Sequence, residues 1–206
     1  MSLSVAPWGL AYGLLAQQSL SLSQAMAMSG YVYSGTAQFV VLEMWQQPLA
    51  IGAMLFAVAA VNARYLLQGA TLAPWLADLS LSRRLATLCL LSDASWAMSL
   101  ERFEQGDGNP GYVFGTSLAI YTAWFASSLA GYLVPLSSVN TQAWGLDFAV
   151  AAALIALAGA RWTGRASLLP WGVAGLVALV TYKTFGGYWY MPVGAIAGAI
   201  AGAWRK

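Results

Sequence analysis

Three small groups of polar residues sit inside otherwise apolar sequence, and they are the places where this chain could do chemistry. The first is Ser34, Gly35, Thr36 and Gln38, within the run MSGYVYSGTAQFVVLEMW from Met28 to Trp45. Hydroxyls, an amide and a helix-weakening glycine at that spacing can interrupt a helix and aim backbone N–H groups at an anion. The second is Asp93 in LLSDASWAM, a carboxylate that could carry a proton or anchor a neighbouring helix by hydrogen bonds. The third is Arg64, with Asn62 before it and Gln68 after it, in VNARYLLQG. A guanidinium there could grip a carboxylate with two N–H groups, pair with Asp93, or snorkel to an interface.

The elements that must position these residues are apolar. The chain has 206 residues, 60% hydrophobic and 8% charged, and its mean hydropathy is +0.65. A soluble domain carries roughly 25% charged residues. Too little charge is present to cover a soluble surface, so the sequence predicts a single integral membrane domain over residues 1–206. About eight apolar segments follow from the rule that ~20 residues cross the hydrocarbon core. They run approximately Val5–Gln18, Leu22–Trp45, Leu49–Leu67, Leu85–Leu100, Gly111–Val134, Gly145–Ala160, Leu168–Lys183 and Tyr188–Trp204. The first is short, so it either half-inserts or lacks a leading piece. The fold class is an all-α polytopic membrane helix bundle of seven to eight transmembrane segments, with at least one discontinuous helix. Breaks are expected at Pro48 and Pro74, in ERFEQGDGNPG, and near Pro135 and Pro170. Arg83 and Arg84 lie three crossings from Arg161 and Arg165, which leaves the orientation open.

Depth gives the polar groups their meaning. Ser34 lies twelve residues after Leu22 and Trp45 lies nine after Thr36. At ~1.5 Å per residue the interruption falls ~15 Å from either end. Irregular backbone is tolerated there only when protein buries it or it lines a wet cavity. Two readings stand: a half-helix whose N-terminus meets an anionic substrate group, or a packing notch, since Gly30, Ser34 and Gln38 share one face. Asp93 falls about halfway between Arg83–Arg84 and Glu101–Glu104. A carboxylate centred in a membrane costs ~2.5–3.5 kcal/mol, so it should face protein or water. Cys89, Ser92, Asp93, Trp96 and Ser99 then form one helical stripe, suited to a polar pathway wall or to a structural anchor. Glu43 and Lys183 read as interfacial, and Asp147 as a helix-start carboxylate. In the last segment, Gly194, Gly198 and Gly202 form a small-residue ladder for close helix packing, with a partner or within the chain.

The composition also excludes functions. No histidine is present and Cys89 is the only cysteine. A Cys/His metal site and the Ser-His-Asp and Cys-His hydrolase sites are therefore impossible, and neither cofactor nor metal is expected. A net charge of +2 is too small to suggest nucleic acid.

At these residues the sequence resembles the AzlC family of branched-chain amino acid transport proteins, also called the YgaZ family. SGTAQF (Ser34–Phe39) is similar to that family's Ala-Gly-Ser-Ala-Gln-Phe element. NARYLLQGATLAP (Asn62–Pro74) is similar to its Asn-x-Arg-His-x-Leu-x-Gly segment, LLSDASWAM (Leu90–Met98) to its Thr-Asp-Glu helix, and GLDFAVAAALIAL (Gly145–Leu157) to its Leu-Asp-Phe helix. PWGLAYGLLA near the start also fits. The family's histidine is Tyr65 here and its glutamate after Asp93 is Ala94, so a histidine-based proton relay has no place. The resemblance implies export of branched-chain or similar hydrophobic amino acids across a bacterial inner membrane. It also implies a small membrane partner of the AzlD type, for which the glycine ladder is a docking face. The expectation is a permease, not an enzyme. Ser34, Gly35, Thr36, Gln38, Asn62 and Arg64 would bind substrate and Asp93 would carry the proton. The alternatives are a non-transporting membrane subunit and a passive channel for small neutral solutes.

Overall fold

A computed structural model describes residues 2–46, 48–135, 152, 155, 159, 162, 164–186 and 188–204. Every regular element among them is helical, with no strand among the described residues. Three helical runs are long and apolar enough to cross a membrane: Ile51–Leu76, Pro110–Leu133 and Gly164–Phe185, of 26, 24 and 22 residues. Val5–Ala16 and Tyr190–Ala203 are shorter and equally apolar. Length and composition together make this a helical membrane protein. The chain packs as two compact units, one of Met1–Gln38 with Asn62–Trp144, the other of Phe39–Val61 with Gly145–Lys206.

The first unit begins with α1 (Ser2–Ala16) and α2 (Leu22–Ala27). Ser21 starts α2 with a capping box: its hydroxyl accepts from Gln24 N at 3.3 Å, and Ser21 N donates to Gln24 Oε1 at 2.9 Å. Helix α2 widens into a π turn, Met28–Val32, and the chain restarts as α3 (Gly35–Met44). Helix α4 (Ile51–Asn62) runs into α5 (Arg64–Leu76) through the single residue Ala63, and α6 (Leu81–Cys89), α7 (Asp93–Glu104) and α8 (Pro110–Leu133) follow. Asn109 caps α8 by accepting from Gly111 N at 2.9 Å, and Pro110 occupies the position where a missing N–H costs nothing.

Helices α1 and α8 form the tightest pair of this unit. A Cβ at Gly13 would lie 2.0 Å from the Ser128 carbonyl oxygen, and one at Gly131 would lie 2.2 Å from that of Leu10. Backbones this close permit dense van der Waals packing, which replaces the hydrophobic drive that lipid cannot supply. A second cluster joins α5, α7 and α8 through Leu72, Leu76, Leu91, Phe103 and Val113. Trp75 stacks on Phe103 with centroids 4.8 Å apart. In the α7–α8 loop Arg102 pairs with Asp107 and lies 4.3 Å over the Tyr112 ring. That hydrogen bond holds the Asp107 carboxyl below its usual range.

In the second unit, a 3₁₀ turn (Gly164–Ser167) leads into α9 (Leu168–Phe185), followed by α10 (Tyr190–Ala203). Gly186, at φ +64°, ends α9 in a conformation that favours glycine. The predicted glycine ladder lies on α10, and its occupant is α9. A Cβ at Gly194 would stand 2.8 Å from the Ala174 carbonyl oxygen, and one at Gly198 would stand 2.7 Å from Ala174 Cβ. At Gly202 the nearest atom is Pro170 Cβ at 3.6 Å, an ordinary contact. Of the two occupants expected for this ladder, a partner or a helix of the same chain, the chain's own helix fills the Gly194–Gly198 end.

Two further boundaries differ from expectation. Pro74 does not end a segment but lies inside α5, which continues to Leu76. The segment predicted as one helix over Leu85–Leu100 is two, interrupted at Leu90–Ser92. The expected Gly145–Ala160 segment, with Asp147, lies outside the described residues apart from single positions.

Candidate functional site

The first interruption is built from backbone that few sequences adopt. The π turn ends at Tyr33, whose φ of 38° and ψ of 49° are left-handed. It is the one non-glycine residue with positive φ among the described residues. Such a conformation costs of order 1–3 kcal/mol and persists only where its surroundings enforce it. Here they do. The Tyr33 ring meets Tyr121 edge-on at 4.9 Å, and the Tyr121 hydroxyl donates to the Gly30 carbonyl at 3.3 Å. Gln38 Nε2 donates to Ser29 Oγ at 3.2 Å, and the Tyr12 hydroxyl donates to the Ala25 carbonyl at 3.1 Å. Tyr132 of α8 donates to the Leu20 carbonyl at 2.8 Å.

Ser34 then takes the N-cap position of α3, its carbonyl accepting from Gln38 N at 2.8 Å. Its side chain does not cap. Ser34 is 2% exposed and its hydroxyl has no hydrogen-bond partner. The first turn of α3 carries no acid. Gly35 seats this turn against the Trp124 indole, which a Cβ would approach to 2.9 Å. The helix start is thus electropositive and buried, with a hydroxyl left over.

The second interruption is built differently. Ser92 is extended at φ −126° and closes a capping box with Ser95: Ser95 N donates to Ser92 Oγ at 3.3 Å, and Ser92 N donates to Ser95 Oγ at 2.9 Å. Asp93 is the first residue of α7 and complements that helix's dipole. Gln68 Nε2 donates to Asp93 Oδ1 at 2.8 Å, and Arg64 Nη2 stands 3.1 Å from Oδ2. The Arg64 guanidinium also lies over the Tyr65 ring, 5.2 Å from its centroid. Arg64 and Asp93 side chains are 21% and 38% exposed, so the pair is neither free at a surface nor sealed in dry packing.

This corrects the expected stripe. Asp93 opens a helix and does not sit halfway along one, and Cys89 belongs to α6, where it is exposed. Ser99 donates to the Ser95 carbonyl at 2.6 Å, inside its own helix. Trp96 Nε1 donates to Thr71 Oγ1 at 2.8 Å. Trp96 thus ties α7 to α5, while the Ser99 hydroxyl is spent within α7.

The two interruptions meet through the residues that precede them. The Tyr33 ring packs on Tyr121, and its phenol is near enough to Ser92 and Tyr65 to interact without a hydrogen bond to either. Buried polar atoms without partners gather in the same elements: Tyr33 Oη, Ser34 Oγ, Gln38 Oε1, Asn62 Oδ1, Arg64 Nε and Gln68 Oε1. Leaving such a group unsatisfied costs ~1–3 kcal/mol. Ser117 Oγ, Trp124 Nε1 and Ser128 Oγ of α8 are also without partners, and each such group calls for its own explanation, a water, an ion or a ligand among them. Of the sequence-predicted residues, the structure joins Gln38 to Ser29, places Ser34–Thr36 at the α3 start, and joins Arg64 to Asp93. Asn62 ends α4 two residues before Arg64. Sequence reasoning missed Tyr33, Tyr121 and Trp124, and left Gln68 outside the site. Gln68 was within reach, since it lies four residues after Arg64 and so shares its helix face. Glu43 is exposed on α3, and Lys183 is exposed in the last turn of α9. Among the described residues no group of three His, Cys, Asp or Glu side chains could hold a metal.

Chemically, the first helix start offers donors to an anion, and the second offers a carboxylate fixed by an amide and a guanidinium. A family model described as AzlC protein matches residues 1–135, the stretch that contains both interruptions. No curated protein and no solved structure matches the chain. With the match spanning 135 of 206 residues, the chain belongs to the AzlC family, membrane proteins related to branched-chain amino acid transport.

Proposed function

We propose that this protein is an inner-membrane permease that exports branched-chain or similar small hydrophobic amino acids together with a small AzlD-type membrane subunit. The observation that carries the reading is the pair of interrupted helices. A buried helix start with an unpartnered hydroxyl at Ser34 lies in the same compact unit as the Gln68–Asp93–Arg64 network. Broken helices that expose half-helix ends to a substrate are the working parts of many secondary transporters. The substrate carboxylate sits at the Ser34–Thr36 turn, Gln38 and Asn62 add amide contacts, and apolar side chains receive the aliphatic group. Asp93 is the proton-coupling group. The protein makes and breaks no covalent bond; the lack of histidine leaves Ser34 and Cys89 without the usual base. Seven to eight crossings fit this architecture.

The test is efflux of leucine, isoleucine and valine from vesicles containing the protein and its small partner. Efflux should saturate and support counter-exchange, and Asp93→Asn should lower the rate or flatten its pH response. Flux that never saturates points to a passive channel instead. Absence of flux for all three substrates refutes the permease reading.

A further inference from the structure

We propose that Asp93, fixed by Gln68, is the subsite for the substrate's α-ammonium group, and that Arg64 occupies in this structure the place that ammonium would take. The proposal rests on the transport reading and specifies what its site recognises. The two helix starts differ in sign. At α3 no acid occupies the first turn, and the 98%-buried Ser34 side chain leaves its hydroxyl unpartnered, so an anion is favoured. At α7 the Ser95 amide is engaged by the Ser92 hydroxyl, and Asp93 adds negative charge, so an anion is repelled and a cation favoured.

A zwitterion carries both signs one carbon apart, so its two subsites must be neighbours. Tyr33 and Ser92, which immediately precede Ser34 and Asp93, are near enough to interact, although the Tyr33 hydroxyl makes no hydrogen bond, and both helix starts belong to one compact unit. The carboxylate is prepared for exchange. Gln68 holds Oδ1 at 2.8 Å, which keeps the group oriented when the cation on Oδ2 changes. Arg64 Nη2 meets Oδ2 at 3.1 Å, while its Nε has no partner. When an ammonium takes its place, the Tyr65 ring at 5.2 Å and the Tyr65 hydroxyl at 3.5 Å retain the guanidinium. Asp93 is the more exposed partner, which lets a ligand approach it first.

A site built this way selects for the amino group, because an analogue lacking it leaves a polarised carboxylate facing another anion. The experiment measures binding to the full chain, purified with its small partner, of leucine, 4-methylpentanoate (leucine without its amino group) and 3-methylbutylamine (leucine without its carboxylate). Leucine should bind at least about tenfold tighter than either analogue. Asp93→Asn and Gln68→Ala should each shrink the leucine-to-4-methylpentanoate ratio to about threefold or less, chiefly by weakening leucine. An Asp93 that only carried protons would leave that ratio unchanged. Equal binding of leucine and 4-methylpentanoate by the unaltered protein overturns the ammonium subsite and leaves the transport reading standing. If leucine, isoleucine and valine all fail to bind, the transport reading falls and takes this proposal with it.

Discussion

The two interrupted helices begin with the same residue and do opposite things with it. At α7 the Ser92 hydroxyl accepts from Ser95 N, Ser95 reciprocates, and Asp93 neutralises the turn. At α3 the Ser34 hydroxyl accepts nothing and gives nothing, although it is buried. A capped start is locally stable and needs no further support. An uncapped one must be stabilised from elsewhere, and here neighbouring helices do it: Tyr121 and Tyr132 of α8 and Tyr12 of α1 bond the α2 backbone or the turns around it. The difference shows where the local stability of a helix start is not maximised, since a serine that could cap α3 does not.

The comparison can be broken most forcefully at the scaffold. Gly13→Val puts a side chain where its Cβ would be 2.0 Å from the Ser128 carbonyl oxygen, and backbone cannot yield cheaply. A loss of ~3 kcal/mol is expected from such overpacking, read as a large fall in melting temperature in detergent. A variant that melts like the parent would mean that α1 does not support the first start. A smaller effect is expected at the second start. Arg64→Ala removes the cation facing Asp93. Breaking a buried pair costs about 3–5 kcal/mol, but these side chains are 21% and 38% exposed, so ~1–3 kcal/mol is expected after solvent screening. The double change Arg64→Ala with Asp93→Ala should be less destabilising than the sum of the single changes. Strict additivity in denaturant unfolding would show the two residues to be uncoupled.

How far the sequence speaks depends on which chemistry marks a feature. The first interruption is legible because Ser34, Gly35 and Thr36 disfavour helix inside an apolar run. The residue that makes the turn is not legible, since left-handed backbone at Tyr33 is unfavourable for a bulky side chain and arises from tertiary enforcement. The second interruption is concealed: Ser92 and Asp93 are good helix-start residues, but Ser95 stands where a capping box usually shows Glu or Gln. Pro74 misleads in the other direction, because an apolar helix can continue past a proline when neighbouring groups accommodate the freed carbonyl. The α10 glycine ladder is plain in sequence, yet small residues mark a close approach without naming who approaches. Gly9 and Gly13 carry the same signal on α1, inside the segment read as half-inserted or lacking a leading piece.

The most direct test is to remove each serine's hydroxyl in turn and measure both stability and leucine binding. Ser92→Ala should lower stability by ~1 kcal/mol, the usual value of a cap, and leave the leucine dissociation constant within about twofold, because its role is structural. Ser34→Ala should raise stability by up to ~1–3 kcal/mol, since it removes a buried hydroxyl that bonds to nothing in this structure, and weaken leucine by about tenfold or more, the worth of one hydrogen bond to a charged group. The reverse pattern, with Ser34→Ala destabilising the fold and sparing leucine, would contradict the account.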